Sequence, residues 1–355
     1  MNFIKVKELF EIKKGKKVEQ IEAFKEGCIR YIQIDDLRNN NNIKFCNEEK
    51  SYIISNSDDI IIAWDGANAG TIGYGLVGAI GSTLAILRKK DNNFNTEYCG
   101  LFLKSKFNYL RDKCTGATIP HISRSSLEEL RVPNIGVEEQ KKIANILNLA
   151  QELIDKRKKQ IEELDLLVKS KFIEMFGNPI TNSKGWNIKL LGEVCEMKAG
   201  KNIKSADIYE KNNGKLYPCY GGNGLRGYVR DYSHDGNIPL IGRQGALCGN
   251  VKYAKGKFYA TEHAVVTNPK IEMNTYWLYY ILEQLDLNRL STGAAQPGLT
   301  VGKLKEVELP IAPIGMQNDF ENFAKQVDKL KFKMEFDLKE LEYNFNSLMK
   351  KYFQN

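Results

Sequence analysis

The sequence predicts an α/β protein in which two homologous modules are each followed by a long helix. One observation is an internal duplication: TGATIPHISRSSLEELRVP, from Thr115, matches TGAAQPGLTVGKLKEVELP, from Thr292, at an offset of 177 residues. Another is a pair of stretches, 138–176 and 317–353, that lack Pro and Gly and carry apolar residues every three or four positions. This periodicity is typical of helices, whereas the segments before them mix short apolar runs with one helical pattern, as α/β modules do.

The duplication extends on both sides of this motif. At the same offset Gln140 falls on Gln317, and near the starts ELFEIKKGK (8–16) lies on EVCEMKAGK (193–201). A period of this length is far longer than the roughly 20–50 residues of a solenoid repeat, so it indicates a duplicated domain.

We therefore predict four segments: a first module at 1–135, a first long helix at 136–178, a second module at 179–313 and a second long helix at 314–355.

Within the modules, apolar and β-branched runs predict the elements. The first module has strand-like runs at 31–34, 60–64 and 83–88 and a helical pattern near 97–113. The second repeats this order, with strands near 238–241 and 263–267 and a helix near 275–286.

Each long helix carries a narrow apolar seam with charged flanks, which indicates packing against another helix. At 1.5 Å per residue each helix is roughly 55 Å long. The alternative, a surface helix packed on its own module, would require a wider apolar stripe. We predict that the two helices pair with each other through Ile143, Leu147, Ile154, Ile161, Leu164, Val168, Phe320, Val327, Leu338, Leu341, Phe345 and Leu348.

The composition is that of an ordinary globular protein: 355 residues, 42% hydrophobic and 27% charged, with a formal net charge of +8. No apolar run approaches the roughly 18 residues of a membrane span, and the first residues lack the apolar region of a signal peptide, so we expect a cytoplasmic protein. The first module holds 20 basic and 17 acidic side chains and the second 17 and 12, while both helices are neutral. This distribution suits two nucleic-acid-facing surfaces, although a modest surplus also occurs in proteins that bind no polyanion.

Motifs for catalysis are weak. Seven cysteines without a CxxC pair and three scattered histidines argue against a metal site. Gly73, Gly75 and Gly78 match GxGxxG, but strand-like sequence follows them where a dinucleotide cradle needs a helix. Glu262 and His263 are neighbours, but adjacent side chains on a strand point to opposite faces, which argues against a joint acid/base role. We predict that the chain has no catalytic activity of its own.

Several local sequences resemble the DNA-specificity subunit of type I restriction-modification systems, and the resemblance covers the whole chain. Its marks are YGGNGLRGYV (220–229), IGRQGALCGNV (241–251), FYATEHAVV (258–266), STGAAQPGL (291–299) and FIEMFGNP (172–179). In that family each module is a target-recognition domain that reads one half of a split DNA sequence.

The resemblance also implies partners. The helices of the family form an antiparallel coiled coil that spaces the domains and binds two methyltransferase subunits, to which restriction and translocation subunits can be added. It implies that this chain binds no cofactor itself, that S-adenosylmethionine belongs to the methyltransferase partner of an adenine DNA methyltransferase, and that ATP and Mg belong to any endonuclease partner.

A tandem duplication joined by antiparallel helices predicts a pseudo-twofold arrangement, in which the domains face opposite strands of double-stranded DNA. A rigid rod would then set the gap between half-sites. We expect insertion of about one helical turn into both helices to lengthen that gap, which methylome sequencing would detect.

Base reading requires planar amide and guanidinium groups, or other polar side chains, on loops that enter a groove. A role in structuring the loops is as good an interpretation for any single candidate. The base-contact candidates are Asn68, His121, Arg124, Asn223, Arg226, Arg243, Gln244 and Gln296, with Asp65 beside Asn68 in WDGANAG. The phosphate-contact candidates, which could equally be solvated turn residues, are Lys13, Lys14, Lys16, Lys17, Lys198, Lys201 and Lys204.

Two other interpretations stay open. The chain could serve a fused methylase-nuclease in a two-subunit type II system, which only the neighbouring genes would separate. It could also be a coiled-coil adaptor between proteins, for which DNA binding would show a flat salt dependence.

Overall fold

The computed structural model describes residues 2–22, 24–116, 118–212, 214–245, 247–292 and 297–353. The chain divides into two compact units, unit 1 with Met1–Lys158 and Phe336–Asn355, and unit 2 with Lys159–Glu335. Each unit therefore combines one module with parts of both long helices.

The first module contains strands β1 (Asn2–Lys5), β2 (Phe10–Lys14), β3 (Cys28–Ile32), β4 (Lys44–Asn47), β5 (Ile54–Ser55), β6 (Ile60–Ala63), β7 (Ile72–Tyr74), β8 (Gly78–Ile80), β9 (Leu84–Lys89) and β10 (Arg131–Asn134). Its helices are α1 (Val6–Leu9), α2 (Thr96–Ser105), α3 (Phe107–Asp112) and α4 (Arg124–Glu128), and the long α5 (Val137–Phe176) follows.

The second module contains strands β11 (Asn187–Leu190), β12 (Cys195–Ala199), β13 (Tyr217–Gly221), β14 (Gly224–Val229), β15 (His234–Asp235), β16 (Ile238–Gly242), β17 (Val251–Ala254), β18 (Lys257–Ala260), β19 (Ala264–Pro269) and β20 (Glu308–Ile311). Its helices are α6 (Leu191–Val194), α7 (Thr275–Gln284) and α8 (Val301–Lys305), and the long α9 (Ile314–Phe353) follows.

The two modules share one strand topology. The first has four-stranded sheets ordered β2-β9-β6-β7 and β4-β3-β8-β5 and a β1-β10 pair, and the second has β12-β19-β16-β17, β14-β13-β18-β15 and a β11-β20 pair. Counterpart strands occur in the same order, and the parallel pairings β3-β8 and β13-β18 occupy matching places. The duplication of the sequence is thus a duplication of the fold.

The apolar run of β6 is explained by burial on both faces. Ile60 and Ile62 belong to the core that includes α2, whereas Ile61 packs with Ile32 and Ile80 between the two sheets. Successive side chains of a strand point to opposite faces, so a central strand that is covered on both sides is apolar at every position.

Two predicted elements of the first module end elsewhere. The helix expected near 97–113 is broken at Lys106, where α2 gives way to α3. The strand expected at 31–34 ends at Ile32, and a 3₁₀ turn (Ile34–Leu37) follows, in which Asp36 accepts a hydrogen bond from the Gln33 amide at 2.7 Å. As predicted, the GxGxxG match opens no helix, since Gly73 lies in β7 and Gly78 begins β8.

In unit 1 the first part of α5 and the last part of α9 complete the core of the first module. Ile143 and Leu147 from α5 share one buried cluster with Met349 and Phe353 from α9. The ring of Phe353 lies 5.3 Å from that of Tyr98, between centroids.

Unit 2 shows the opposite ends of the same helices. Phe172 packs edge-on against Phe320 with ring centroids 5.3 Å apart, and Lys331 pairs with Asp165 at 2.6 Å. Along α5, Asp165 contacts Lys331 and the later residue Phe172 contacts the earlier residue Phe320 of α9. The two helices therefore run antiparallel in this unit. In both units the seam also packs into the module cores, so the expectation that its stripe is too narrow for such packing is wrong. Aromatic residues such as Phe172 and Phe353 widen it at the helix ends.

Candidate nucleic-acid interface

Three loops of the first module meet at one end of its β2-β9-β6-β7 sheet. The Trp64 amide, just after β6, donates to the Thr83 carbonyl at 2.7 Å, and the Ile122 amide donates to the Trp64 carbonyl at 2.9 Å. The Gly66 amide donates to the Pro120 carbonyl at 2.9 Å. These bonds fix the loops after β6, before β9 and after α3 in one surface.

A compact charged cluster occupies this surface. The Asp65 carboxylate contacts Lys14 Nζ at 2.7 Å and His121 Nδ1 at 2.6 Å, and it is largely buried while both partners are about half exposed. Burial acts to raise the pKa of Asp65, but hydrogen bonds from Lys14 and His121 outweigh it and hold that pKa below its ordinary value. Because Asp65 engages Nδ1, it orients the His121 ring and leaves Nε2 free to contact a ligand.

The second module builds the same backbone frame. The Arg243 amide donates to the His263 carbonyl at 3.0 Å, the Leu299 amide donates to the Arg243 carbonyl at 2.9 Å, and the Gly245 amide donates to the Pro297 carbonyl at 3.0 Å. Each bond has its counterpart in the first module, so three equivalent loops meet here too.

The side chains on the two frames differ. The first module presents a lysine, a carboxylate and an imidazole where the second presents alanine, an amide and glycine. In the turn, the first module has glycine, serine and threonine where the second has threonine, glutamate and histidine. The equivalent positions are Lys14 and Ala199, Asp65 and Gln244, His121 and Gly298, Gly81 and Thr261, Ser82 and Glu262, and Thr83 and His263. A common backbone therefore carries two different polar surfaces.

The expectation that the Glu262 and His263 side chains point to opposite faces of a strand is wrong. They lie in the turn between β18 and β19, and Glu262 Oε1 is 3.2 Å from His263 Nε2. In a turn the alternation of a strand does not apply, so neighbouring side chains converge. Aligning this turn with 81–83 of the first module would have identified it as part of the loop surface.

A glycine-rich hairpin between β13 and β14 forms the other side of this surface in the second module. A Cβ on Gly242 would overlap the carbonyl oxygen of Gly222, so the close approach of hairpin and sheet requires glycine. The Asn223 amide oxygen accepts from Asn250 at 3.1 Å, and Arg226 donates to the Ser205 hydroxyl at 3.0 Å.

The other base-contact candidates are dispersed. The Asn68 Oδ1 accepts from Arg38 at 2.7 Å, which gives it a partner within the first module. Arg124 begins α4, is largely exposed and pairs with Glu128 at 2.7 Å. Gln296 lies outside the described residues, and base contact by any of the candidates stays a prediction.

The lysine candidates divide into two groups. Lys13 pairs with Glu11 at 3.0 Å and Lys198 with Glu196 at 2.6 Å. The others are exposed and, with the exception of Lys14, form no ion pair within the described ranges; these are Lys16, Lys17, Lys201 and Lys204.

Among the described residues no group of three or more His, Cys, Asp or Glu side chains is arranged to hold a metal ion. In that same part of the chain, no helix combines the length and the apolar character needed to cross a membrane.

Comparison with known proteins defines the class of the chain. The family model described as "Type I restriction modification DNA specificity domain" matches residues 1–165 and again 183–343. The chain belongs to this type I restriction-modification specificity family, as the local motifs indicated.

Relatives agree with this assignment. A segment of 130 residues is 52% identical to the type I restriction enzyme EcoprrI specificity subunit of Escherichia coli and covers 36% of this chain and 32% of that protein. The chain is 26% identical over 366 aligned residues to the MjaVIII specificity subunit of Methanocaldococcus jannaschii, which covers 92% of this chain and 86% of that one.

Solved structures share the fold. The type I restriction-modification S subunit from M. genitalium superposes with a TM-score of 0.66 at 20% identity, over 100% of this chain and 96% of that chain. A chain from a study of assembly and conformational transition of a type I system gives a TM-score of 0.61 at 18% identity, over 100% and 97%.

Proposed function

We propose that the chain binds double-stranded DNA and reads a bipartite target, each module contacting one half-site through the surface where its three loops meet. The observation that carries this proposal is the pair of equivalent backbone frames with different polar side chains. Equal frames dock on DNA in equal ways, while different hydrogen-bonding groups select different bases.

The charged groups of each surface support this assignment. Lys16 and Lys17 in the first module, and Lys201 and Lys204 in the second, are exposed cations without ion pairs among the described residues. Lysines of this kind contact phosphates and release counterions, which gives affinity without sequence preference. The polar groups between them are left to distinguish bases.

The family relationship extends the proposal to partners. The helices α5 and α9 would hold two methyltransferase subunits, which bind S-adenosylmethionine, and restriction-translocase subunits, which use ATP and Mg, would join this core. In this arrangement the present chain supplies recognition and no catalytic group.

The test combines base reading with salt dependence. The full chain is expressed with its methyltransferase subunit, and the methylated motif is determined by long-read methylome sequencing. Replacing both Asp65 and His121 by Ala should change the motif in one half-site only, and Gln244→Ala should change only the other. A motif that is not bipartite, or a change in both halves from either variant, contradicts the proposal.

The lysines are tested separately. The double variant Lys16→Ala, Lys17→Ala should weaken binding to all duplexes. It should also make the negative slope of log K against log salt less steep by about 2, since each phosphate contact contributes roughly −0.9 to that slope. The variant Lys198→Ala is the matched control, because this lysine already pairs with Glu196. A slope equal to that of the unaltered complex would remove the two lysines from the interface.

A further inference from the structure

The turn between β18 and β19 concentrates polar atoms that lack partners. Among the described residues, Thr261 Oγ1, Glu262 Oε2, His263 Nδ1 and Arg243 Nε are buried and accept or donate no hydrogen bond. Thr261 itself is completely buried. Buried polar groups in proteins are nearly always paired, so a cluster of unpaired ones needs a reason beyond the fold.

The cluster adjoins an open cavity of about 300 Å³ in the second module. His263 lines one wall, and residues 221–226 of the glycine-rich hairpin line the other. The Arg243 amide donates to the His263 carbonyl, which ties the arginine to the same turn. A Cβ placed on Gly221 would lie 3.6 Å from Thr261 Oγ1, so the hairpin backbone passes close to this hydroxyl.

A carboxylate and a guanidinium lie on the two segments that the backbone bond between Arg243 and His263 joins, and neither is neutralised by an ion pair with Lys, Arg, Asp or Glu in the described ranges. Glu262 contacts His263 through Oε1 but has no Lys or Arg nitrogen within 4.0 Å in the described ranges. The half-buried Arg243 guanidinium has neither an ion pair nor a hydrogen bond to any described residue. The Glu262 side chain is 35% exposed, so a ligand is able to reach its carboxylate from the open side although Oε2 is buried.

This combination matches one base pair. In the major groove a C·G pair presents the N4 amino donor of cytosine beside the O6 and N7 acceptors of guanine. Carboxylates accept from cytosine N4, and arginine donates to guanine O6 and N7. We propose that Glu262 and Arg243 together read one C·G pair in the half-site of the second module. This inference rests on the proposed function, namely that the loop surface faces DNA.

The first module offers a built-in comparison. Its equivalent turn consists of Gly81, Ser82 and Thr83, which carry no carboxylate, and the position of Arg243 is taken by Trp64. The pair is therefore specific to the second module, and its loss should affect one half-site alone.

The experiment measures methylation rates of the full chain assembled with its methyltransferase, on duplexes that carry C·G or T·A at each C·G position of the target. The variant Glu262→Gln removes the carboxylate but keeps the side-chain shape, and its amide is able to donate to thymine O4. The preference for C·G over T·A should fall roughly ten- to hundred-fold at one position of one half-site. The variant Arg243→Lys, which keeps the charge but loses the bidentate fork, should relax discrimination at the same base pair, and both variants should leave the preferences at the first half-site unchanged.

The outcomes distinguish a failure of the proposed function from a failure of the base assignment. If the unaltered complex methylates no bipartite motif, the proposed function fails. If it does, but the second half-site contains no C·G pair, or Glu262→Gln keeps every base preference, the pairing of Glu262 with cytosine is overturned. A uniform fall in rate on all duplexes, with preferences unchanged, assigns the turn a purely structural role and overturns it equally. Loss of preference at one C·G pair, shared by both variants, supports it.

Discussion

A buried glutamine connects the start of α9 to the second module. Gln317 is 1% exposed; its Oε1 accepts from the Asn274 amide at 2.9 Å, and its Nε2 donates to the Ala312 carbonyl at 2.7 Å. Asn274 is also the N-cap of α7 and accepts from the Tyr276 and Trp277 amides. One side chain thus joins the long helix, the residue that follows β20 and the N-cap of α7.

The variant Gln317→Met keeps the length of the side chain and removes both hydrogen bonds. Two backbone groups then lose their partners, and each orphaned group costs about 1–3 kcal/mol when it is buried. We expect the stability of unit 2 to fall by about 2–6 kcal/mol. Hydrogen-deuterium exchange read peptide by peptide is the suitable assay, because a chain with two units does not unfold as one two-state system.

The duplication provides a matched experiment. Gln140 is fully buried, accepts from the Asn95 amide at 2.8 Å and donates to the Ile135 carbonyl at 2.7 Å, so Gln140→Met should destabilise unit 1 by a similar amount. Gln151→Met is the control, since its hydrogen bond to Asp155 lies on the exposed side of α5. If Gln317→Met and Gln151→Met change exchange protection equally, the linking role of the buried glutamines is refuted.

Three further predictions concern unit 1. Arg88 binds the buried carboxylate of Asp59 through two nitrogens, at 3.0 and 2.6 Å. Arg88→Leu should destabilise unit 1 by about 3–5 kcal/mol, since the Asp59 charge is left unpaired. Hydrogen-deuterium exchange of peptides from the first module is the measurement, and a change below about 1 kcal/mol would contradict this. Phe353→Ala should cost about 3–5 kcal/mol, because the ring is buried against Tyr98, and exchange protection of α2 should fall with it; unchanged protection there would refute the contact. The pKa of Asp65 is held below its ordinary value of about 4, so the ionised carboxylate stabilises the folded chain above that pH, and this contribution is lost as the pH falls through the folded-state pKa. The melting temperature of the Asp65→Asn variant should therefore depend less on pH between about 5 and 2 than that of the unaltered chain. Identical pH dependence in the two proteins would argue against this role of Asp65.

The large features of the fold were predictable because they leave periodic signals. The offset that places Gln140 on Gln317 also relates two structural roles that match bond for bond. The seam of the long helices was equally visible in the spacing of apolar residues. The packing of this seam into the module cores was not predictable, because the width of an apolar stripe does not reveal whether a helix or a sheet covers it.

The candidate site was only partly predictable. Asp65 and His121 are 56 positions apart and meet because the sheet order brings their loops together, which no local pattern encodes. The strand expected near 263–267 begins at Ala264, so Glu262 and His263 lie in the turn before it. An error of one or two residues at a strand end moves a side chain from a strand face into a turn, and the ends of elements are where functional loops begin.

The division of α9 between the two units bears on how the chain folds during its synthesis. The core of unit 1 contains Met349 and Phe353, so its first 158 residues emerge from the ribosome long before the residues that complete it. Unit 2, Lys159–Glu335, is one continuous segment and is free to close first. The apolar surface of the first module that Met349 and Phe353 cover therefore stays exposed until synthesis reaches the end of α9. Dependence on chaperones should accordingly be greater for the first module than for the second.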